Sequence, residues 1–152
     1  MGPRLRLQDG APTGVRFFVD TSVWSLALRR SDPPAVPEVA VLGEALDQGD
    51  LVFTTGLVLQ ELLQGFRGPT AKDAIIQRFA SLPFLVPGRS DYIEAAGVRN
   101  ECRRRGVQVG TIDALFAALC LSKDLTILTT DRDFHRIADI LPLSCWRSKG
   151  TG

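Results

Sequence analysis

Short apolar runs rich in strand-forming residues alternate along this chain with longer segments in which apolar residues recur every three or four positions. The short runs predict strands at residues 15–19, 51–53, 83–86, 125–128 and 140–143. The longer segments predict helices at 23–30, 39–46, 56–65, 71–79, 91–105, 112–122 and 131–137. Because strands and helices alternate throughout, we expect an α/β fold, a three-layer α/β/α sandwich whose mostly parallel central sheet has about four to five strands.

Turn and capping residues set the expected ends of these elements. Thr55, Ser90 and Thr111 each stand where they would cap the helix that follows. The prolines within residues 31–37 predict a loop. Pro142 restricts the last predicted strand to an edge of the sheet, because proline cannot donate a hydrogen bond to a neighbouring strand.

The length and composition of the chain fit one globular domain. Its 152 residues are 45% apolar, which suffices for one core and is too little for two ordinary domains. We expect the domain at residues 15–147, with an N-terminal extension at 1–14 and a C-terminal tail at 148–152. No apolar run approaches the roughly 20 residues that cross a bilayer, and the extension lacks the apolar stretch of a secretory signal. The expected location is therefore the cytoplasm, with no membrane partner.

Composition also limits the chemistry that the chain can perform. Its only histidine is His135, which argues against a histidine-rich zinc site and excludes mechanisms that need two histidines. Cys102, Cys120 and Cys145 are scattered and fit neither a disulfide framework nor a zinc-binding spacing. The net charge of +1 neither favours nor excludes a polyanionic partner. Any catalysis must therefore depend mainly on carboxylates.

Two acidic residues follow predicted strands. Asp20 comes directly after the first strand, and Asp131 comes shortly after the fourth. In an open α/β sheet, ligands bind beyond the carboxyl ends of the strands, which share one edge when the strands are parallel. Each residue also has a structural alternative as the cap of the next helix. For Asp20, however, Thr21 and Ser22 could cap equally well.

Two further acids lie in otherwise apolar helices. Asp113 is the only charged residue within 111–122, where the helix dipole stabilises it by about 0.3–1 kcal/mol. Burial of an unpaired carboxylate costs more than the dipole returns, and a cation would make up the difference. Glu61 has apolar neighbours on its helix, and its structural alternative is an ion pair with Arg67 or a side chain that reaches water.

Crowded carboxylates repel one another, and a divalent cation relieves that repulsion. If the four acids gather at one edge of the sheet, their hard oxygen ligands suit Mg²⁺, with Mn²⁺ as an alternative, and such a site suits phosphodiester hydrolysis. Asp133 lies close enough in sequence to contribute, although a capping or solvated role is its structural alternative. Thr21 or Ser22 could hydrogen-bond a metal-bound water.

Four segments of the chain resemble motifs of the PIN-domain family, namely VDTSVW at 19–24, LQELLQGF at 59–66, TIDALFAALC at 111–120 and LTTDRDF at 128–134. Their order and spacing are most similar to the VapC toxins of bacterial type II toxin–antitoxin pairs, over about residues 15–147. The resemblance implies a parallel sheet flanked by helices and a metal-dependent endoribonuclease that cuts single-stranded RNA. It assigns metal binding and catalysis to an acidic quartet with one auxiliary residue: Asp20, Glu61, Asp113 and Asp131, with Asp133.

The same resemblance implies partners as well as chemistry. It implies a homodimer and a cognate VapB-like antitoxin that blocks the active site. One departure is the extension, since family members usually begin just before the first strand, whereas about fourteen residues precede it here. An alternative function is a non-catalytic PIN module that binds RNA or a protein partner, and RNA cleavage in the presence of magnesium would discriminate the two.

Two other magnesium-dependent classes fit the acids less well. A signalling receiver domain needs paired acids after its first strand, whereas Asp20 stands alone, and it needs a lysine after its last strand, where none is well placed. A phosphatase of the haloacid dehalogenase type needs a second aspartate two residues after the first, and that position holds Ser22.

Arginines offer the positive charge that RNA binding requires. Two groups stand out in the sequence: Arg29 with Arg30, and Arg99 with Arg103, Arg104 and Arg105. The alternative for the second group is that arginines near a helix C-terminus complement the helix dipole. Trp24 and Phe66 could stack on bases, but both are expected in the core or in contact with the antitoxin.

Overall fold

The computed structural model describes residues 14–29 and 36–149. Within these ranges the chain forms strands β1 (Arg16–Val19), β2 (Leu51–Thr55), β3 (Phe84–Leu85) and β4 (Thr126–Leu128). The helices are α1 (Thr21–Ala27), α2 (Pro37–Asp47), α3 (Gly56–Gly65), α4 (Pro69–Ala80), α5 (Arg89–Arg104), α6 (Thr111–Lys123) and α7 (Arg132–Ile140). No helix within the described ranges has the length and apolar character needed to cross a membrane.

The four strands form one parallel sheet in the order β3-β2-β1-β4. The chain moves outward from β1 to β2 and then β3, and α5 and α6 return it to the opposite side of β1. The strand order therefore reverses between β1 and β4, which is the place where open α/β sheets form a ligand-binding crevice. The expected α/β class with a mostly parallel sheet is confirmed.

The core explains why the central elements are so apolar. Phe17, Phe18 and Val19 of β1 are all buried, so both faces of the central strand are covered. On one face Phe18 packs against Phe116 of α6, with ring centroids 4.9 Å apart. Helix α6 is buried from Ala114 to Cys120, as expected for a helix that is apolar around most of its circumference.

A second aromatic pair joins two helices. Trp24 of α1 packs against Phe79 of α4, with ring centroids 4.9 Å apart, and both side chains are almost fully buried. The expectation that Trp24 belongs to the core is therefore confirmed, and its ring is not available to stack on a base. Phe66, at the C-terminus of α3, is partly buried against the same core.

Two of the three capping predictions are wrong. Thr55 caps α3 as expected, because its Oγ1 accepts a hydrogen bond from the backbone N–H of Val58 at 3.2 Å. Ser90 and Thr111 instead lie inside the first turns of α5 and α6, whose N-caps are Gly88 and Gly110. Glycine is tolerated at an N-cap position nearly as well as threonine, so each helix begins earlier than the hydroxyl residues suggested.

The predicted strand at 140–143 is also wrong. Helix α7 continues through Ile140, because Phe134 and Ile137 are buried and Ile140 extends the same stripe at a spacing of three residues. The chain runs beside β4 only after residue 143, where the backbone N–H of Ile127 donates to the carbonyl oxygen of Ser144 at 2.9 Å. The other expected ends shift by a few residues, as for the predicted helix at 23–30, which spans Thr21–Ala27.

Parts of four sequence predictions lie outside the described residues. These are the N-terminal extension up to residue 13, the last residue of the helix predicted at 23–30, the loop at 31–37 up to residue 35, and the tail from residue 150. Arg30, one of the arginines considered for RNA binding, lies there too.

Candidate metal centre

The register of the two central strands places the first acid at the switch point of the sheet. Val19 pairs with Leu128, so the residues that follow them, Asp20 and Thr129, lie side by side where β1 and β4 end. The backbone N–H of Asp20 donates to the carbonyl oxygen of Leu128 at 3.0 Å and extends the ladder by one step. Asp20 is only 7% exposed, so its carboxylate needs polar partners.

Two hydroxyl groups supply those partners. Ser22 Oγ donates to Asp20 Oδ2 at 2.8 Å, and Thr129 Oγ1 donates to the same oxygen at 2.9 Å. Asp20 occupies the N-cap position of α1, but its side chain makes no capping hydrogen bond. Asp20 thus stands where a cap would, while its carboxylate bonds the hydroxyls of Ser22 and Thr129. Burial raises the pKa of Asp20, and the hydrogen bonds from Ser22 and Thr129 oppose this effect.

Asp131 lies beyond the end of β4 and begins α7. Its Oδ1 accepts a hydrogen bond from the backbone N–H of Asp133 at 2.9 Å, so Asp131 does cap its helix, as its structural alternative proposed. The backbone N–H of Asp131 donates to Thr129 Oγ1 at 2.9 Å. Asp133 forms an ion pair with Arg136 Nη1 at 2.8 Å, one turn further along the helix.

Asp113 is the acid without a partner. It stands in the first turn of α6, and within the described ranges its carboxylate forms no hydrogen bond and no ion pair. Burial and, after it, the negative charges of nearby acids together raise the pKa of Asp113 to about 6. Those acids are, in decreasing order of effect, Asp20, Asp131, Asp133 and Glu61. The other four acids predicted from the sequence are therefore close enough to Asp113 for their charges to act on it.

Glu61 reaches this group from α3. Its Oε1 accepts a hydrogen bond from Thr21 Oγ1 at 2.6 Å, across 40 positions of sequence. No ion pair with Arg67 exists within the part of the chain that the structure describes, so that alternative is wrong. Thr21 thus orients a carboxylate from another helix, whereas the sequence suggested a cap or a hydrogen bond to a metal-bound water.

Three of the acids form the tightest group. Asp113, Asp131 and Asp133 each offer a carboxylate oxygen, and these oxygens all lie within 4.8 Å of one another. For comparison, two oxygens on opposite sides of one Mg²⁺ lie about 4 Å apart. The oxygen-only donor set and the unpartnered carboxylate of Asp113 both fit a hard divalent cation. Asp20 and Glu61 border this group without belonging to it.

The histidine, the cysteines and most of the arginines take no part in the cluster. His135 Nδ1 contacts Cys145 Sγ at 3.4 Å, and both residues are partly buried. Arg103 and Arg104 lie in the last turn of α5, where the dipole alternative places them, and Arg104 and Arg105 also form ion pairs with Glu101. Arg99 Nε donates to the carbonyl oxygen of Val109 at 2.9 Å, in the segment that leads into α6.

Thr129 is the one polar residue at the centre of the site that sequence reasoning missed. It is fully buried, and it contacts both Asp20 and the backbone of Asp131. The available signal was its position, one residue past a strand that must pair in parallel with β1. Without the register, however, the sequence does not show that Thr129 lies beside Asp20.

This geometry stands in a chain that matches a known protein family over most of its length. The model of the PIN domain family matches residues 17–140, which is most of the chain. The chain belongs to the PIN-domain family. No curated protein matches it by sequence. In this PIN domain the five acids lie directly after β1, on α3, on α6, and at the start of α7.

Solved structures that this PIN domain resembles include several toxin–antitoxin complexes. VapBC2 from Rickettsia felis, bound to a promoter DNA fragment, has a chain that is 19% identical, with a TM-score of 0.67 over 88% of this chain and 100% of that one. FitAB bound to IR36 DNA gives 17% identity and a TM-score of 0.70, over 90% and 99% of the two chains. VapC20 of Mycobacterium tuberculosis, a toxin that cleaves the sarcin-ricin loop, gives 20% identity and a TM-score of 0.61, over 84% of this chain and 98% of that one. At these identities the likeness establishes a shared fold.

Proposed function

We propose that this PIN domain is a Mg²⁺-dependent endoribonuclease and the toxin of a VapC-like type II toxin–antitoxin pair. The observation that carries the proposal is the unpartnered carboxylate of Asp113 among four other acids. Such a group costs more stability than the helix dipole returns unless a cation occupies the cluster. The fold shared with toxins such as VapC20 supports RNA as the substrate.

In this proposal the metal is held by Asp20, Glu61, Asp113 and Asp131, with Asp133 as an auxiliary ligand. A bound Mg²⁺, or Mn²⁺ in its place, would neutralise charge on the phosphate and lower the pKa of the attacking water. The chain contributes fixed positions for its carboxylates. Hydroxyl groups of Thr21, Ser22 and Thr129 provide this orientation without cancelling the negative charge that attracts the metal.

The direct test is cleavage of single-stranded RNA by the purified protein. We expect the wild type to cut in Mg²⁺ and to lose activity with EDTA, and we expect Asp20→Asn and Asp113→Asn to lose at least about a hundredfold. Asp73→Asn is the matched control, because Asp73 is exposed on α4 and does not influence the pKa of Asp113. Wild-type protein that binds RNA in Mg²⁺ without cutting it would favour the alternative, a non-catalytic PIN module.

The toxin role has its own test in cells. Expression of the wild type alone should arrest growth, and expression of Asp113→Asn should not. Equal toxicity of the two proteins would contradict the nuclease mechanism. Sequencing of RNA ends after induction would identify the cleaved RNA, and a small neighbouring reading frame that restores growth when co-expressed would identify the VapB-like antitoxin.

A homodimer is the remaining part of the proposal. Large apolar side chains are exposed on α5 and at the start of α6, where Tyr92 is 56%, Ile93 66% and Ile112 38% exposed. Such a surface supports a protein interface. We expect the wild type to sediment as a dimer and Ile93→Lys to sediment as a monomer. Ile76→Lys is the control, since Ile76 is exposed on α4, and a monomeric wild type would refute the dimer.

A further inference from the structure

A single buried hydroxyl connects the ends of the two central strands. Thr129 is 0% exposed, and its Oγ1 donates to Asp20 Oδ2 at 2.9 Å while it accepts the backbone N–H of Asp131 at 2.9 Å. One oxygen atom therefore contacts a carboxylate that follows β1 and the backbone of an acid that follows β4. Because the atom is fully buried, water is not available to replace either bond.

The direction of these bonds is determined by the number of protons available. A threonine hydroxyl has one proton and two lone pairs, and a backbone N–H can only donate. The N–H of Asp131 must therefore use a lone pair of Thr129 Oγ1, which leaves the hydroxyl proton for Asp20. Ser22 repeats the pattern, since its Oγ accepts the N–H of Thr130 at 3.1 Å and donates to Asp20 Oδ2.

We propose that Thr129 is a positioning residue of the metal centre, which holds the carboxylate of Asp20 and the backbone of Asp131 in a fixed relative position beside the cation. This inference rests on the proposed function, because it assumes that these acids hold a divalent metal. Residues that orient metal ligands typically contribute about 10–100-fold to metal affinity or activity. The hydroxyl of Thr129 is hydrogen-bonded to two proposed ligand residues at once, whereas the hydroxyl of Thr21 donates to Glu61.

The chain contains a matched control for this role. Thr54 of β2 is also 0% exposed, but its hydroxyl has no hydrogen-bond partner within the described ranges. Replacing either threonine with valine keeps the shape and removes a buried hydroxyl. If buried threonines matter only for packing, Thr54→Val and Thr129→Val should behave alike. If Thr129 positions ligands, only Thr129→Val should change metal binding.

The experiment measures the binding of Mn²⁺ alone, by calorimetry and by the electron paramagnetic resonance signal of the free ion, with thermal unfolding in EDTA as a check on folding. We expect Thr129→Val to weaken Mn²⁺ binding about 10–100-fold and Thr129→Ser, which keeps the hydroxyl, to stay within about threefold of the wild type. Thr54→Val should bind Mn²⁺ as the wild type does. RNA cleavage at a fixed Mn²⁺ concentration should follow the same order.

The outcomes separate this inference from the proposed function. Wild-type protein that binds no Mn²⁺ would refute the metal centre itself. Wild-type binding that Thr129→Val leaves unchanged would refute only the role of Thr129. If Thr129→Val does not fold, Thr129→Ser tests the role of Thr129 instead. Loss of Mn²⁺ affinity in this folded variant, which retains the hydroxyl, would overturn the inference. Retained Mn²⁺ affinity would support it.

Discussion

Asp113→Asn should make the metal-free protein more stable while it abolishes the proposed activity. The carboxylate of Asp113 has no partner, and burial together with four neighbouring acids raises its pKa from 3.8 to about 6. At about 1.4 kcal/mol for each pKa unit, this rise corresponds to roughly 3 kcal/mol of destabilisation when the group is ionised. Partial exposure screens the effect, so we expect asparagine to stabilise the protein by about 1–2 kcal/mol, or about 2–8 °C in Tm.

The pH dependence follows from the direction of the shift. Because the pKa of Asp113 is higher in the folded state than in the unfolded state, the folded protein binds this proton more tightly. The penalty is therefore fully present above about pH 6 and disappears as the pH falls below the ordinary value of 3.8. The stability difference between Asp113→Asn and the wild type should be largest near neutral pH and should vanish in acid.

The assay is urea unfolding with EDTA at several pH values, repeated with Mg²⁺ present. Added Mg²⁺ should stabilise the wild type more than the variant, because a ligand stabilises only the state that binds it. Asp73→Asn, on the exposed face of α4, should show none of these effects. A variant that is less stable than the wild type in EDTA at neutral pH, or a difference that does not change with pH, would refute the reasoning.

Two further substitutions test the supports of the site. Thr21→Val removes the donor to Glu61 and should lower RNA cleavage in Mg²⁺ about tenfold, whereas Thr21→Ser should cleave RNA nearly as well as the wild type. Equal loss of cleavage in both variants would contradict an orienting role for the hydroxyl. Arg99→Met leaves the carbonyl oxygen of Val109 without its hydrogen-bond donor. We expect the free energy of unfolding to fall by about 1–3 kcal/mol and amide hydrogen exchange in residues 106–110 to become faster. Unchanged exchange there would show that the hydrogen bond from Arg99 does not stabilise this segment.

The sheet and two of its acids could be predicted because they depend on local pattern and one general rule. Apolar runs located the strands, alternation with helices indicated parallel pairing, and parallel strands bring Asp20 and Asp131 to the same edge. The ends of the helices and strands were harder to predict from the sequence. Helix α7 overran a predicted strand because its buried stripe continues to Ile140, and periodicity alone does not show where such a stripe stops.

The arrangement of acids from different helices could not be derived from pattern. Nothing in the spacing shows that Glu61 on α3 and Asp113 on α6 approach the strand ends, since this depends on how the two helices pack on the sheet. The family resemblance supplied the grouping, and the structure places these acids close together. Thr129 escaped prediction for a related reason, because a shift of one residue in the pairing of β1 with β4 would place another side chain beside Asp20.

The choice of partners around the acids bears on why the cluster persists in a folded protein. Within residues 14–29 and 36–149, Asp20 and Glu61 accept hydrogen bonds from neutral hydroxyls, and the one ion pair among the five acids joins Asp133 to Arg136. An arginine or lysine beside each acid would stabilise the empty site but would compete with a metal for the same oxygens. A hydroxyl satisfies one lone pair and leaves the negative charge intact. The carboxylates of the cluster therefore still repel one another, and relief of that repulsion by a bound cation would contribute to its affinity.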